Sequence, residues 1–334
     1  MTRLTTCGWE SGNAQEAGWL TTIYTDLIQQ FGNIYPRSGE YMVGNTGPYT
    51  TIYWVPPSGD IGSEVYLRAG FHSFSNYWGE IHIGTYGGGY TYLQVNAEKR
   101  IAFGLGGAGP LATGISQLDP DAWYLFEVYY KRHATEGRYV AKVDGNVEID
   151  YTGNTISSGL TVLNRVWLYA YGFWDDLAIN DINGTYDNSW CGDGHVVAIR
   201  PTSTPVTGWT GSDGNQVDNH LLVDDSSWTD ADYVAAAAVD LVDKYGLEDP
   251  GELVANEYIG HVWGIAASRC TVGDGTVKMA VGLRTHNTDY WSADQTLTAT
   301  YMGKLTDYHW LNPNTGARWN MDELNALQIA IKSR

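Results

Sequence analysis

From Gly62 to Phe71 the chain sets Val65, Leu67, Ala69 and Phe71 on one face, with Glu64, Tyr66, Arg68 and Gly70 between them, a period of two. That period fits an extended strand with one buried face, because successive side chains on a strand point to opposite sides of the sheet. It returns at Ile101, Phe103 and Leu105, just after the segment GTYGGGY at 84–90. Trp123 to Tyr130 is apolar on both faces apart from Glu127, which predicts a strand enclosed between layers. Tyr139–Val143 and Val147–Ile149 flank Asp144-Gly145-Asn146, a hairpin whose turn signal is Asp-Gly. Leu160–Tyr171 and Leu177–Ile179 supply closing strands, with Asp175-Asp176 between them.

Within this β-rich half one stretch has helical spacing. Glu16 to Phe31 places Leu20, Ile23, Tyr24, Leu27, Ile28 and Phe31 at i, i+3, i+4 intervals. The turn-forming run NDINGTYDNSW at 180–190 marks a boundary, so the reading divides the chain into residues 1–190 and 191–334. A length of 334 residues accommodates two such domains. Beyond the boundary, Val196–Ile199 reads as a strand and Pro201–Asp230 as a long polar loop. Thr229–Tyr245 has helical propensity from its alanines, while Val234, Val239 and Val242 suit strands equally. Val254–Ala267, Thr276–Leu283 and Gln295–Met302 alternate again, and the tail opens as a helical turn at Trp319 before a strand-like series Leu327, Ile329, Ile331. The fold class expected is all-β: a sandwich followed by a second, smaller β-rich sandwich-like domain.

Charge narrows the partners. With 19 Lys+Arg against 38 Asp+Glu the formal charge is −19, which repels nucleic acid and anionic lipid. The longest basic cluster, Lys131-Arg132-His133, reads as a solvated turn. MTRLTTCGWESG lacks the apolar core of a secretion signal, and no stretch has the apolar length of a membrane span, so a soluble product made in the cytoplasm is expected. Cys7, Cys191 and Cys270 are widely spaced with no C-x-x-C, which indicates neither a disulfide framework nor a zinc site; Cys7 and Cys191 are expected near one another but reduced.

Several segments together carry a resemblance. Trp123-x-x-x-Glu127-Val128, then Val143-Asp144-Gly145, then Trp174-Asp175-Asp176-Leu177-Ala178-Ile179-Asn180-Asp181 resemble the second half of concanavalin A-like, laminin-G-like jelly rolls, and the opening Cys7–Gly12 resembles the first strand of versions carried by tailed phages. The stretches Trp190–Thr202, Gly208-Trp209-Thr210, Asn312–Trp319 and Leu324–Ile329 follow in the order seen in such phage proteins. The resemblance implies a jelly roll over residues 1–190 in a non-enzymatic virion component of tail, fibre, baseplate or capsid surface. Its partners would be copies of itself, a trimer by analogy, and other virion proteins. It also favours strands around Tyr233–Tyr245. Asn183-Gly184-Thr185 spells a glycosylation sequon, without meaning in a phage product.

Catalytic sets are marked by residue type and spacing. The E-x-D-x-x-E strand of concanavalin A-like glucanases, which puts an acid and a nucleophile on one face, is missing, since Val128-Tyr129-Tyr130 follows Glu127 and Glu64 is no better placed. There is no H-E-x-x-H, P-loop or G-x-S-x-G. A polysaccharide hydrolase is therefore a remote alternative whose acid and nucleophile cannot be named. His72 and His82 lack a third ligand and read as strand residues; GTYGGGY at 84–90 and GLGGAGP at 104–110 read as sheet bends rather than anion cradles. Asp175 and Asp176 are weak candidates for Ca²⁺, with a turn-capping pair as the plainer reading, and no cofactor is otherwise expected. The functional rival to assembly is glycan binding at the particle surface, for which Trp54, Tyr77, Trp78, Tyr86 and Tyr90 are the candidates, because exposed aromatic faces stack on sugar rings.

Overall fold

The computed structural model describes residues 3–10, 19–21, 26–30, 33–44, 51–56, 58–73, 79–169, 172–225, 229–251, 258–271 and 275–334. Two compact units divide the chain, Met1–Val196 and Val197–Arg334.

Unit 1 is a sandwich of two antiparallel sheets. Its strands are β1 Arg3–Cys7, β2 Trp19–Thr21, β3 Asp26–Ile28, β4 Met42–Gly44 and β5 Thr51–Trp54. Next come β6 Glu64–Ser73, β7 Glu80–Gly84, β8 Tyr90–Val95, β9 Ile101–Leu105 and β10 Pro110–Thr113. The last five are β11 Trp123–Lys131, β12 Gly137–Val143, β13 Asn146–Gly153, β14 Arg165–Tyr169 and β15 Gly172–Asn180. Among the described residues one sheet runs β13–β12–β11–β6–β15–β4–β3, with β1 also on β15, and the other runs β10–β9–β8–β7–β14–β5–β2. Their inner faces share one core, in which Val65, Leu67, Ala69 and Phe71 meet Ile81, Ile83, Phe103 and Leu168. Phe103 of one sheet stacks on Tyr139 of the other with ring centroids 3.9 Å apart. The period-two reading of β6 and β9 is thus the core-facing parity. The β12–β13 hairpin turns through Asp144 and Gly145, both at positive φ as a type I′ turn requires.

Two expectations for unit 1, and one at its junction with unit 2, are corrected. The helix expected over Glu16–Phe31 is replaced by β2 and β3, with residues 11–18, 22–25 and 31–32 outside the described set. β2 pairs with β5 in one sheet and β3 with β4 in the other, so non-local ladders override the local spacing. Asp175 and Asp176 lie not between two strands but inside β15, at a bulge where the pairing with β6 slips between Asp175 and Ala178. Val196–Ile199 is not a strand.

Residues 190–196 cross the outer face of the β6–β11–β15 sheet as a strap, fastened by buried charge. Gly192 N–H donates to Glu127 Oε1 at 2.8 Å, and Arg68 donates to the Gly192 carbonyl at 3.2 Å. Asp176 Oδ1 accepts from Val196 N–H at 2.9 Å and Ser38 Oγ at 2.7 Å, while its Oδ2 pairs with Arg37 at 2.6 Å. Trp190 lies edge-on to Tyr66, centroids 5.4 Å apart, with the Lys142 ammonium 3.5 Å from its ring centroid. Cys7, Cys191 and Cys270 form no disulfide among the described residues, and the first two are buried.

Burial, with the neighbouring Asp176, pushes the Asp175 carboxyl well above the usual carboxylate range. A carboxyl that holds its proton more tightly when folded stabilises unit 1 at low pH. That contribution is lost as pH rises from about 4 towards the folded value. Glu148, Asp240 and Asp289 are shifted down and act in the opposite sense. Asp175→Asn cannot ionise, so its stability relative to wild type is expected to improve between about pH 5 and about pH 8 in denaturant titrations. A difference that stays constant with pH would show that Asp175 titrates as an ordinary carboxyl.

Unit 2 comprises β16 Pro201–Val206, β17 Thr210–Gly211, β18 Val234–Ala235, β19 Val242–Leu247 and β20 Ile265–Ser268. It continues with β21 Lys278–Thr285, β22 Thr288–Trp291, β23 Gln295–Thr296, β24 Met302–Leu305, the short helix α1 Met321–Asn325, and β25 Gln328–Ser333. Among the described residues a six-stranded sheet runs β16–β19–β25–β21–β22 with β23 also on β21, and β17–β18 and β20–β24 form two ribbons. The tail behaves as read: Asn320 and Glu323 close a capping box on α1, and β25 inserts between β19 and β21. Thr229–Tyr245 is not helical; β18 takes Val234 and β19 takes Val242 into ladders, while Val239 sits exposed in the turn between them. The expected strand from Val254 lies partly outside the described residues, and β20 begins at Ile265. The Pro201–Asp230 loop contains β16, β17 and a 3₁₀ turn at Asn219–Leu222.

Candidate functional site

The outer face of the β8–β7–β14–β5 sheet is aromatic, and strand parity decides which rings stand on it. On β14, Val166 and Leu168 enter the core, so Arg165, Trp167 and Tyr169 point outward. On β5, Ile52 and Trp54 are buried and Tyr53 faces out. On β7, Ile81 and Ile83 go in, which leaves Glu80 and His82 outside; on β8, Thr91, Leu93 and Val95 go in, which leaves Tyr90, Tyr92 and Gln94 outside. The ladders align Tyr53, Trp167, His82 and Tyr92 in one row across four strands. Three strand spacings make that row roughly 14 Å long, the scale of a short oligosaccharide.

The rings brace one another. His82 lies parallel to Tyr90 at 4.3 Å and against Tyr169 at 4.6 Å, while its Nε2 bonds Glu80 Oε2 at 2.6 Å. Tyr92 donates its hydroxyl to the Ala108 carbonyl at 3.1 Å and lies over Gly104, where an added Cβ would come within 2.3 Å of its oxygen. His82 and Tyr92 are thereby covered, and Tyr86 and Tyr169 are the most open rings at 68% and 37% exposure. Burial pushes the Tyr169 hydroxyl above its ordinary value, with Tyr90 and Glu80 adding to it, so the phenol is a neutral donor at physiological pH. The surface combines flat apolar faces with Tyr hydroxyls, an arginine and a carboxylate, which can stack on a sugar ring and bond its hydroxyls at the edges.

Of the five residues expected to bind glycan, Tyr86 and Tyr90 stand on this face. Trp54 does not: it is 2% exposed and packs in the core, because its ladder partner is the inward Val166 while neighbouring Tyr53 pairs with the outward Trp167. Tyr77 and Trp78 lie outside the described residues. Arg165, Trp167, Tyr169, Glu80 and His82 were not singled out in sequence, although alternation in Arg165-Val-Trp-Leu-Tyr169 carries the signal.

Asp175 and Asp176 are elsewhere, on the opposite sheet, where their oxygens accept from Ser38, Val196, the Asp176 N–H and Arg37. Among the described residues no group of three or more His, Cys, Asp or Glu is placed to hold a metal ion. His72 and His82 belong to different sheets. No helix of the described residues is long and apolar enough to cross a membrane.

No protein-family model matches the chain, and no curated protein sequence matches it. Solved structures similar to it include carbohydrate binding module CBM66 from Bacillus subtilis, 14% identical, with a TM-score of 0.31 over 49% of this chain and 92% of that one. A protein of unknown function with galectin-like fold from Bacillus subtilis is 10% identical, with a TM-score of 0.37 over 54% of this chain and 98% of that one. Domain 4 of AbnA, a GH43 extracellular arabinanase from Geobacillus stearothermophilus in complex with arabinotriose, is 10% identical, with a TM-score of 0.37 over 54% of this chain and 92% of that one. Each likeness covers about half of this chain, and what those proteins bind is a property of theirs.

Proposed function

We propose that unit 1 is a non-catalytic glycan-recognition module whose binding surface is the aromatic face of β5, β14, β7 and β8. The observation that carries the reading is the braced set Tyr53, Trp167, Tyr169, Tyr86 and Tyr90 on one sheet face, beside Arg165 and Glu80. Glycoside hydrolysis by the usual route needs two carboxyl groups facing the bond, and Glu80 is the one carboxylate on the described strands of this sheet, held by His82. From the phage-like order of segments we further infer a particle surface as its setting, where recognition of host glycan and assembly with other virion proteins are compatible roles.

The test is a glycan array probed with the full chain. Trp167→Ala is expected to weaken binding by about 2 kcal/mol, roughly thirty-fold in Kd. Val147→Ala, on an exposed position of the other sheet, is expected to leave binding unchanged. Absence of binding by the wild-type chain across the array would overturn the reading. Absence of the polypeptide from purified particles, by mass spectrometry, would remove the virion placement alone.

A further inference from the structure

Arg165 stands out on the proposed face because no anion pairs with it among the described residues. The chain holds twice as many carboxylates as basic residues, and Arg3, Arg37, Arg138, Arg269, Arg284 and Arg334 each pair with an aspartate. Arg165 has no ion pair and no hydrogen-bond acceptor among the described residues, and its buried Nε is left unsatisfied. Aromatic rings hold it instead: its Cζ lies 3.7 Å from the Tyr86 ring centroid, 4.2 Å from Tyr53 and 5.5 Å from Trp167. Tyr86 is itself fixed, its N–H donating to Asn164 Oδ1 at 2.9 Å. Rings against a guanidinium take up its faces and leave its in-plane N–H donors for a ligand. A partly desolvated fork of donors without an acceptor is matched by a planar carboxylate, which accepts two parallel bonds. Burial acts in the same direction, pulling Arg165 below its ordinary pKa against the effect of Tyr53 and Tyr86, as expected of a cation short of a counter-charge.

Resting on the glycan reading, we infer that Arg165 selects a carboxylate-bearing sugar, whose carboxylate docks on the guanidinium edge while its ring lies over Trp167. The two residues stand two positions apart on β14, on one face. Net charge refines the class further. At −19 the chain repels a polyanion at long range, so the ligand is a largely neutral glycan carrying a single acidic residue, captured by short-range contact.

Calorimetry on the full chain with paired oligosaccharides tests this. Each pair is a glucuronate-, galacturonate- or N-acetylneuraminate-terminated oligosaccharide and its carboxyl-reduced counterpart; a sulfate-bearing counterpart and a polyuronate are added. The expected result is at least one pair in which the acid binds roughly tenfold tighter or more. The preference should shrink with Arg165→Lys and vanish with Arg165→Met, and the polyuronate should bind more weakly than the singly acidic ligand. Equal affinity within every bound pair, a preference that survives Arg165→Met, or tighter binding of the sulfate would overturn the carboxylate assignment and leave the glycan reading standing. Polyuronate binding more tightly than the singly acidic glycan would overturn the single-acid class. No binding by any oligosaccharide, acidic or neutral, would overturn both. Thermal melts of each variant separate lost recognition from lost folding.

Discussion

Asp176→Ala is expected to cost unit 1 about 3–5 kcal/mol, the range for breaking a buried ion pair from one side. Asp176 is fully buried, and its two oxygens receive Arg37, Ser38 Oγ and the Val196 N–H. Truncation leaves Arg37 the Gly194 carbonyl and, as its anion, Asp193, whose side chain is 80% exposed and contributes little through solvent. It also orphans the Val196 N–H, one of the bonds that hold the strap on the sheet. The residue sits at φ +50, a left-handed conformation that aspartate and asparagine tolerate better than alanine. Asp176→Asn keeps that tolerance and an acceptor, so it should cost about half as much. Chemical denaturation followed through tryptophan fluorescence checks both. If the alanine variant loses less than about 1 kcal/mol, the strap is not fastened by this carboxylate.

The second large effect belongs to unit 2. Asp243 on β19 is fully buried and accepts four hydrogen bonds: Gly208 N–H at 2.6 Å, Trp209 N–H at 2.8 Å, Asn219 Nδ2 at 2.7 Å and the Tyr245 hydroxyl at 2.8 Å. The loop around Gly208–Asn219 has few apolar anchors, and this carboxylate gathers it. Asp243→Ala strands four donors at about 1 kcal/mol or more each, so a loss of about 4 kcal/mol is expected. Asp243→Asn keeps one acceptor oxygen for the Gly208 and Trp209 amides but turns a donor towards Asn219, giving an intermediate loss. Hydrogen exchange reads the result locally: the amides of Gly208 and Trp209 should lose protection in the alanine variant before β21 and β25 do. Unchanged protection at those amides would show that the loop is held by other contacts.

The strands of unit 1 were largely legible in sequence. Val65, Leu67, Ala69 and Phe71 announce β6 and its buried face, and Asp144-Gly145 announces the β12–β13 turn. The tail was equally plain, because a cap at Asn320 and the alternating Leu327, Ile329 and Ile331 are local signals. The segment around Leu20–Ile28 was misread, since its spacing is helical whereas its partners, β5 and β4, lie far along the chain. The aromatic face was half legible. Aromatic density pointed to Tyr86 and Tyr90, but it pointed equally to Trp54, one residue from the outward Tyr53. Nothing in Tyr53-Trp54 taken alone says which ring faces solvent, because a one-residue slip of register exchanges the faces. Asp175-Asp176 looked like a turn, because a bulge in a buried strand and a loop share the same residue preferences.

By itself the sequence determined that this chain is all-β, where most of its strands run, and that it carries a strongly negative charge. Those follow from side-chain period, turn chemistry and composition, each read within a few residues or summed over all of them. Tertiary structure alone decided which aromatic residues share a surface, that Arg165 stands there with no anion among the described residues, and that Asp176 and Asp243 are fastenings. These depend on ladder register and on partners as distant as Arg37 and Asp176, 139 positions apart. Such pairings arise from packing two whole sheets together, and no local pattern of residues encodes them.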